Sequence, residues 1–453
     1  MPIVMKFGGT SVADAAAFEN AARIVSAECA ASPVVVVSAM SGVTDALLAV
    51  TPETLGPIFS RHLATAEQLL ESPESEYFAE VVNRAEAQVR ELLQPADTRN
   101  RKLVQDAVVS FGEILSSTLM AAVLNQRGVK ARQVDARLCI ITDEEHTCAA
   151  PLMSEMFACT ERELRPLVES GVVPVLGGFI GATLKGATTT LGRGGSDYTA
   201  ALIGAALNVD EIQIWTDVTG VLTADPRVVP NAQTIDRLSY SEAAELAYFG
   251  AKVLHPKTIQ PAIENSIPVR ICNSRMPQER GTLVGPQSET SPRAIKAIAH
   301  KTGVTIVQIT SARMLGAYGF LRALFEVFER HRTVVDVVTT SEVSVSLSLD
   351  ETTALPQIVD ELQQLGTVGI KKGSAIICVV GDGLRGTPGI AGRVFGTISD
   401  INVSLISQGA SSINFTFAIE EERVKEAVIR LHEEFFSHEK AQKNKKKFID
   451  ESF

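Results

Sequence analysis

The sequence lacks the marks of several large protein classes. Its six cysteines, Cys29, Cys139, Cys148, Cys159, Cys272 and Cys378, form no C-x-x-C pair and no Cys/His cluster with metal-ligand spacing. That excludes a disulfide scaffold and a zinc module. Scattered thiols in a chain of this size read as reduced and structural, which places it in the cytoplasm. No uninterrupted apolar run approaches the ~18–20 residues that span a bilayer, so no membrane partner is expected. The start, MPIVMKFGGTSV, has a glycine pair where a signal peptide needs a long apolar core. Basic residues are in deficit, with 42 Lys and Arg against 53 Asp and Glu and a net charge of −11. Nucleic-acid binding needs local basic excess and is not expected. There is no G-x-x-x-x-G-K-[ST] phosphate loop. No His or Cys stands in the pattern of a nucleophile or general base, and His255 reads as a structural histidine.

What remains is a soluble globular chain of 453 residues, 45% apolar and 21% charged, long enough for two to four domains. Short apolar runs (Ile3–Phe7, Val34–Ser38, Val172–Leu176, Gln213–Thr216, Val269–Cys272) alternate with helical patterns such as Ala15–Ala30 and Arg101–Arg127. The β-branched run starting at Val34 suits a strand buried on both faces. The alternation predicts a layered α/β domain with a mostly parallel sheet. Residues 51–94 are polar and helical in pattern, an insertion beside the sheet.

Gly285–Ala294, GPQSETSPRA, reads as a linker. Beyond it the chain nearly repeats itself: Gly319, Phe325 and Ser341 recur as Gly389, Phe395 and Ser411, each offset by 70. Strand-like Val304–Ile309 and Ala375–Val380 precede the two copies, giving a duplicated β-α-β-β-α-β module. The expected boundaries are a catalytic domain 1–285, a linker 286–302, modules 303–373 and 374–436, and a basic tail 437–453 that reads as a solvated end.

Four motifs carry the chemistry. Lys6-Phe-Gly-Gly-Thr-Ser11 follows the first strand. A Gly-Gly turn lets backbone N–H groups approach phosphate oxygens, and Lys6 adds a point charge. Gly192-Arg-Gly-Gly-Ser-Asp197 sets Arg and Asp among three glycines before an apolar helix, an oxyanion cradle in which Arg193 can grip a carboxylate through two hydrogen bonds. Trp215-Thr-Asp-Val-Thr-Gly220 follows another strand, with Asp225-Pro-Arg227 beyond it, where open α/β sheets receive nucleotides. Ser110-Phe-Gly-Glu113 sets a carboxylate at the start of an apolar helix pattern, either as a dipole partner or as a ligand for a substrate ammonium.

Together KFGGTS, VSAMSGVTD, VSFGE, TTTLGRGGSDYTA, WTDVTGVLTADPR and FGAKVLHP resemble the aspartate kinases (aspartokinases) of the amino-acid-kinase superfamily. The repeat resembles a pair of ACT domains, the family's amino-acid-sensing units. The resemblance implies a three-layer α/β catalytic domain followed by two ferredoxin-like ACT domains. The first is inserted into the second, so that Val304–Ile309 would join the 374–436 unit. It implies transfer of the γ-phosphoryl group of ATP to the β-carboxylate of L-aspartate, with Mg²⁺ bridging the phosphates. A carboxylate nucleophile is ionised at pH 7 and needs no general base. What it needs is positioning and charge neutralisation.

By matching motifs, Lys6 stabilises the phosphoryl charge, Gly8 and Gly9 hold phosphates, and Asp197 orients the lysine. Arg193, with Gly194 and Ser196 of the same turn, binds the α-carboxylate of aspartate. Glu113 holds its α-ammonium, with Ser38 and Thr44 completing the pocket. Thr216, Asp217, Leu222, Arg227, Lys252 and Val253 receive ATP, Leu222 standing where the family often has Tyr. The effector segments of lysine-sensitive members match Met314, Gly319, Phe320, Leu321, Asp336, Thr340, Ser341, Glu342 and Val343. Asp336 would take an effector ammonium. Ala317 replaces a serine of some members and removes a hydrogen bond worth roughly 0.5–1.5 kcal/mol. Lysine, or threonine, is the expected effector, and a homodimer or homotetramer through ACT sheet edges the expected assembly. No dinucleotide-binding pattern follows residue 436, so a kinase without a fused dehydrogenase is expected. The alternatives are another kinase of the superfamily, acting on acetylglutamate, glutamate or uridylate, and a non-catalytic amino-acid sensor. Glu113 beside Arg193 favours a free amino acid, and intact Lys6, Arg193 and Asp197 favour turnover.

Overall fold

The β-branched and apolar runs become the centre of a parallel sheet. The computed structural model describes residues 2–94, 100–250, 256–286, 294–409 and 411–436. It divides into two units, one of 1–221, 236–240 and 253–287, the other of 222–235, 241–252 and 288–453. The block expected as one catalytic domain, 1–285, thus lends two segments to the second unit. Lys252, Val253, His255, most of the Gly285–Ala294 linker and the 437–453 tail lie outside the described residues.

The first unit contains strands β1 (Ile3–Phe7), β2 (Pro33–Val37), β3 (Ala131–Val134), β4 (Ile141–Thr142), β5 (Val173–Gly177), β6 (Ile180–Thr183), β7 (Thr188–Thr190), β8 (Glu211–Thr216), β9 (Arg237–Ser239), β10 (Val269–Asn273) and β11 (Thr282–Gly285). Eight of them form one sheet in the order β3-β5-β2-β1-β8-β10-β11-β9, and β4-β6-β7 form a small one. The ladder from β3 through β10 is parallel. Only β10–β11 in the large sheet is antiparallel. β1, β2 and β5 are buried at every position, as strands covered on both faces must be.

Its helices are α1 (Ala15–Ala27), α2 (Val43–Leu48), α3 (Leu55–Leu69), α4 (Glu74–Leu92), α5 (Arg101–Gln126), α6 (Met153–Glu169) and α7 (Gly195–Leu207), then, after α8 (Tyr240–Tyr248), which falls in the second unit from Ser241 on, α9 (Gln260–Glu264). Asp14 caps α1 by accepting from Ala17 N, and Asn100 caps α5 by accepting from Lys102 N. The expected insertion is α3 and α4, whose Phe59, Phe78, Val82 and Val89 pack into the core with Val108, Leu115 and Leu119 of α5. α5 is long and apolar enough in composition to cross a membrane, contrary to the run-length reading. Most of that length is buried inside the unit, and it carries the buried carboxyl side chains of Asp106 and Glu113.

The second unit contains β12 (Ala297–Thr310), α10 (Phe320–Arg330), β13 (Val338–Thr340), β14 (Ser344–Leu349), α11 (Leu355–Leu362), β15 (Thr367–Val380), α12 (Ile390–Thr397), β16 (Leu405–Gln408), β17 (Asn414–Glu420) and α13 (Val424–Phe436). They form one six-stranded sheet, β13-β14-β12-β15-β17-β16. The repeat is visible in detail: Gly319 and Gly389 both precede helices at φ of +82° and +78°. Two separate cores lie on this sheet, one around Val307, Leu324 and Leu347, the other around Ile377, Phe415 and Phe417.

The interleaving differs from expectation. Residues 305–310 pair with β14, and so stay with the first module. It is Ala297–Lys301 that pairs with the far half of β15, at Ile376–Val380, and completes the second module. Both modules therefore share two continuous 14-residue strands, with the pairing slipping between Lys301 and Ile306.

Candidate active site

The carboxyl ends of β1, β2, β5 and β8 lie side by side, and the backbone ladder runs past them. Gly8 N donates to Trp215 O at 3.0 Å, Ser38 N to Phe7 O at 3.0 Å, and Gly178 N to Val37 O at 2.8 Å. These are the positions where parallel sheets build ligand sites. The turn after β1 lies close against the turn after β2: a Cβ on Gly9 would stand 3.1 Å from Ala39 O. Gly8 faces the Lys6 ammonium, where an added Cβ would sit 3.6 Å from Nζ.

Lys6 is buried, at 8% exposure, although its charge must be paired or used when removed from water. Its Nζ lies 2.6 Å from Asp197 Oδ1. Asp197 belongs to the first turn of α7, and Gly194 caps that helix at φ +75° with the Thr258 methyl 2.7 Å from where a Cβ would stand. No other residue fits there without strain. Arg193, one position earlier, is exposed. Among the described residues its guanidinium makes no ion pair, so it is free to take an anion.

Glu113 is 2% exposed. Its Oε1 accepts from Ala39 N at 3.3 Å, while Oε2 is buried with no hydrogen-bond partner. Burial pushes its carboxyl up to about 8, opposed in part by the Ala39 N–H. A buried orphan oxygen of this kind calls for a donor, best a cation. Gly112 lets the Ala39 turn lie on α5, since a Cβ there would come within 2.8 Å of Ala39 Cβ. Ser38, half-buried, sits at the head of that turn, and Thr44 is half-buried in α2 just beyond it.

Sequence reasoning passed over Gly177 and Gly178. A Cβ on Gly177 would stand 2.8 Å from Glu113 Cβ, and one on Gly178 would stand 2.7 Å from Ser196 Cβ. This glycine pair brings the Glu113 helix and the Arg193–Asp197 turn to one strand end. The signal was present: VLGG repeats the strand-then-glycines pattern of KFGG.

The expected nucleotide residues divide between the units. Thr216 ends β8 and donates to Asp217 Oδ1 at 3.2 Å. Leu222, half-buried, forms a β-bridge to Thr234 in the second unit. Arg227 is exposed and directs its guanidinium at its neighbour Asp225, with Nη2 2.6 Å from Oδ2. The structure therefore shows it paired locally.

Of the expected effector residues, the 311–321 segment and the Thr340–Val343 turn come together at one end of β14, whereas Asp336 pairs toward its other end, with Asp336 N donating to Ser348 O at 3.1 Å. Ser311 N donates to Val343 O at 2.8 Å, joining the segment that leads to Met314 and Gly319–Leu321 with the Thr340–Val343 turn. That turn is closed by Ser341 N donating to Ser344 O at 2.8 Å; Glu342 and Val343 are exposed in it. Asp336 is already engaged. Tyr248 OH donates to Oδ1, and Lys301 Nζ lies 3.5 Å from Oδ2. Lys301 also pairs with Asp350 and lies 4.7 Å above the Tyr248 ring. Burial, with Asp350 nearby, holds the Asp336 carboxyl above its usual range. All six cysteines are free, Cys29 and Cys148 exposed among them.

Comparison with known proteins gives this arrangement a context. The model of the amino acid kinase family matches residues 1–273, and an ACT domain model matches 377–435. The chain is 40% identical over 461 residues to Aspartokinase 3, chloroplastic, of Arabidopsis thaliana, covering 96% of this chain and 81% of that one. It is 38% identical over 450 residues to Lysine-sensitive aspartokinase 3 of Escherichia coli, covering 96% and 99%. The crystal structure of E. coli aspartokinase III in complex with aspartate and ADP superposes with a TM-score of 0.81 at 37% identity, covering 96% of this chain and all of that one.

Proposed function

This chain belongs to the aspartokinases of the amino acid kinase family, and we propose the following reading of its site. The enzyme transfers the γ-phosphoryl group of ATP to the β-carboxylate of L-aspartate, giving 4-phospho-L-aspartate, the first step toward lysine, threonine and methionine. The observation that carries it is the pairing of buried Lys6 with Asp197 at the same edge of the sheet as buried Glu113, whose second oxygen has no partner. An acetylated amino acid would offer that oxygen a neutral amide N–H in place of a cation, a weaker match for a buried carboxylate, which disfavours the acetylglutamate reading. A sensor without turnover would not need a buried lysine at the phosphate turn.

Glu113 takes the α-ammonium and Arg193 the α-carboxylate, with Ser38, Thr44, Gly194 and Ser196 shaping the pocket. The β-carboxylate is left facing the phosphate turn and attacks as the ionised nucleophile. Gly8 and Gly9 hold phosphate oxygens through N–H groups. Lys6, held by Asp197, meets charge as it develops on the transferring group. Thr216 and Asp217 take the nucleotide, and the roles given to Leu222, Arg227, Lys252 and Val253 rest on the motifs that contain them. Mg²⁺, carried in with ATP, would supply charge neutralisation on the phosphates.

The ACT pair makes the enzyme allosteric, with lysine the effector by likeness to the lysine-sensitive relative. Its ammonium takes over Asp336 from Lys301 and Tyr248, while the Gly319–Leu321 and Ser341–Val343 backbones hold its α-groups. ACT sheet edges join two or four copies, and the compartment is the cytoplasm. The test is ATP- and Mg²⁺-dependent phosphorylation of L-aspartate, trapped as the hydroxamate, with and without millimolar lysine or threonine. Turnover suppressed by lysine supports the whole reading. Turnover without suppression removes the effector assignment, and binding without turnover makes the chain a sensor.

A further inference from the structure

A second buried carboxylate on α5 is used by no step above. Asp106 has 0% exposure and is fully satisfied. Its Oδ1 accepts from Thr190 Oγ1 at 2.7 Å, and its Oδ2 accepts from His146 Nδ1 and Thr147 N, both at 2.9 Å. Thr190 ends β7 and stands three residues before Arg193. Its carbonyl accepts from Ala149 N at 2.9 Å. Gly192, at φ +76°, packs on the same segment: a Cβ there would lie 3.3 Å from Cys148 Sγ and 3.5 Å from Thr147 O. Thr147 is itself held at φ +74°, a conformation that costs a non-glycine residue energy and persists only where its surroundings enforce it. The strand entering the Arg193 turn and the loop that props it therefore hang on one carboxylate.

Asp106 lies seven residues before Glu113 on the same helix, about two turns and ~10 Å along the axis, so both side chains share a face. We propose that Asp106 is a positioning residue that sets the spacing between the grip on the substrate's α-ammonium and the grip on its α-carboxylate. This rests on the site reading above. One rigid helix carries the ammonium ligand directly and the carboxylate ligand by proxy. A substrate with both α-groups is held at two points, and its side-chain carboxylate is aimed by that span.

Thr190→Val tests this without emptying the core, because it exchanges a buried hydroxyl for a methyl of the same shape. The full-length enzyme should show an aspartate KM raised about tenfold, the scale of one hydrogen bond to a charged group. The ATP KM and kcat should stay within about twofold, because the phosphate turn hangs on other bonds. Thr190→Ser, which keeps the hydroxyl, should restore the aspartate KM. A purely structural role would lower the melting temperature and the active fraction, and move no KM. An unchanged aspartate KM, or an ATP KM rising in step, overturns the proposal. Should Thr190→Val fail to fold, His146→Ala removes a different donor from Asp106 and is read the same way. Wild-type enzyme inert toward aspartate overturns the site reading and this proposal with it, whereas active wild type with an unaffected variant overturns this proposal alone.

Discussion

Glu113 makes aspartate binding depend on pH in a way that can be worked out in advance. Burial raises its carboxyl from 4.5 to about 8 in the free protein, so at neutral pH it is mostly protonated and cannot pair with an ammonium. Binding selects the ionised form, and apparent affinity scales with its fraction. That fraction grows from about one in a hundred at pH 6 to one half at pH 8, so the aspartate KM should fall roughly fiftyfold across this range. Initial-rate kinetics with hydroxylamine trapping would measure it. Calorimetry at pH 7 in two buffers of different ionisation enthalpy should show nearly one proton released per aspartate bound. Glu113→Gln should lose the pH slope and bind aspartate more weakly at pH 8 by roughly 1.5–3 kcal/mol, the scale of a charged hydrogen bond. Stability runs the other way. A carboxyl raised on folding stabilises the folded state below its unfolded value near 4.5, and that contribution is lost as pH rises toward 8. Glu113→Gln should therefore raise the melting temperature of the free enzyme above pH 8. A flat wild-type KM between pH 6 and 8, or the same slope in Glu113→Gln, would refute the assignment of Glu113 to the ammonium.

Four further outcomes are expected. Lys6→Ala should lower kcat by about 10²–10³ with a smaller change in KM, because its partner charge grows in the transition state; single-turnover rates read this directly. Arg193→Ala should raise the aspartate KM by about 10–100-fold, the scale of a lost two-point charged contact, while the ATP KM holds. Lys296 and Glu242 form a buried ion pair at 2.9 Å, with side-chain exposures of 6% and 0%. Lys296→Met breaks this pair and should cost about 3–5 kcal/mol in urea unfolding of the full chain. Asp336→Asn should shift lysine inhibition to higher concentration with uninhibited turnover near wild type, and an unmoved inhibition curve would place the effector elsewhere.

Residue order alone determined a good deal of this protein. A strand followed at once by two glycines, as in KFGG, is legible because only glycine lets backbone approach a phosphate so closely. Runs such as Pro33–Val37 announce a buried parallel strand through β-branched composition, and the Gly319 and Gly389 helix starts announce a duplicated module through their spacing. Short strands such as β4, β6, β7, β9 and β11 carried too few residues for any period to show.

Tertiary structure decided what depends on partners far along the chain. Asp106 finds His146 at 40 residues' distance and Thr190 at 84, and no local pattern records such a meeting. Glu113 owes its raised carboxyl to burial, a property of what surrounds it. The same holds for β12 and β15. A 14-residue strand serves one module with one half and the other module with the other, and only the pairing register says where the change occurs. Sequence names the groups that can do chemistry, because side-chain type fixes what each can donate, accept or neutralise. The fold decides which of them share a site, because burial and distance set how strongly they act.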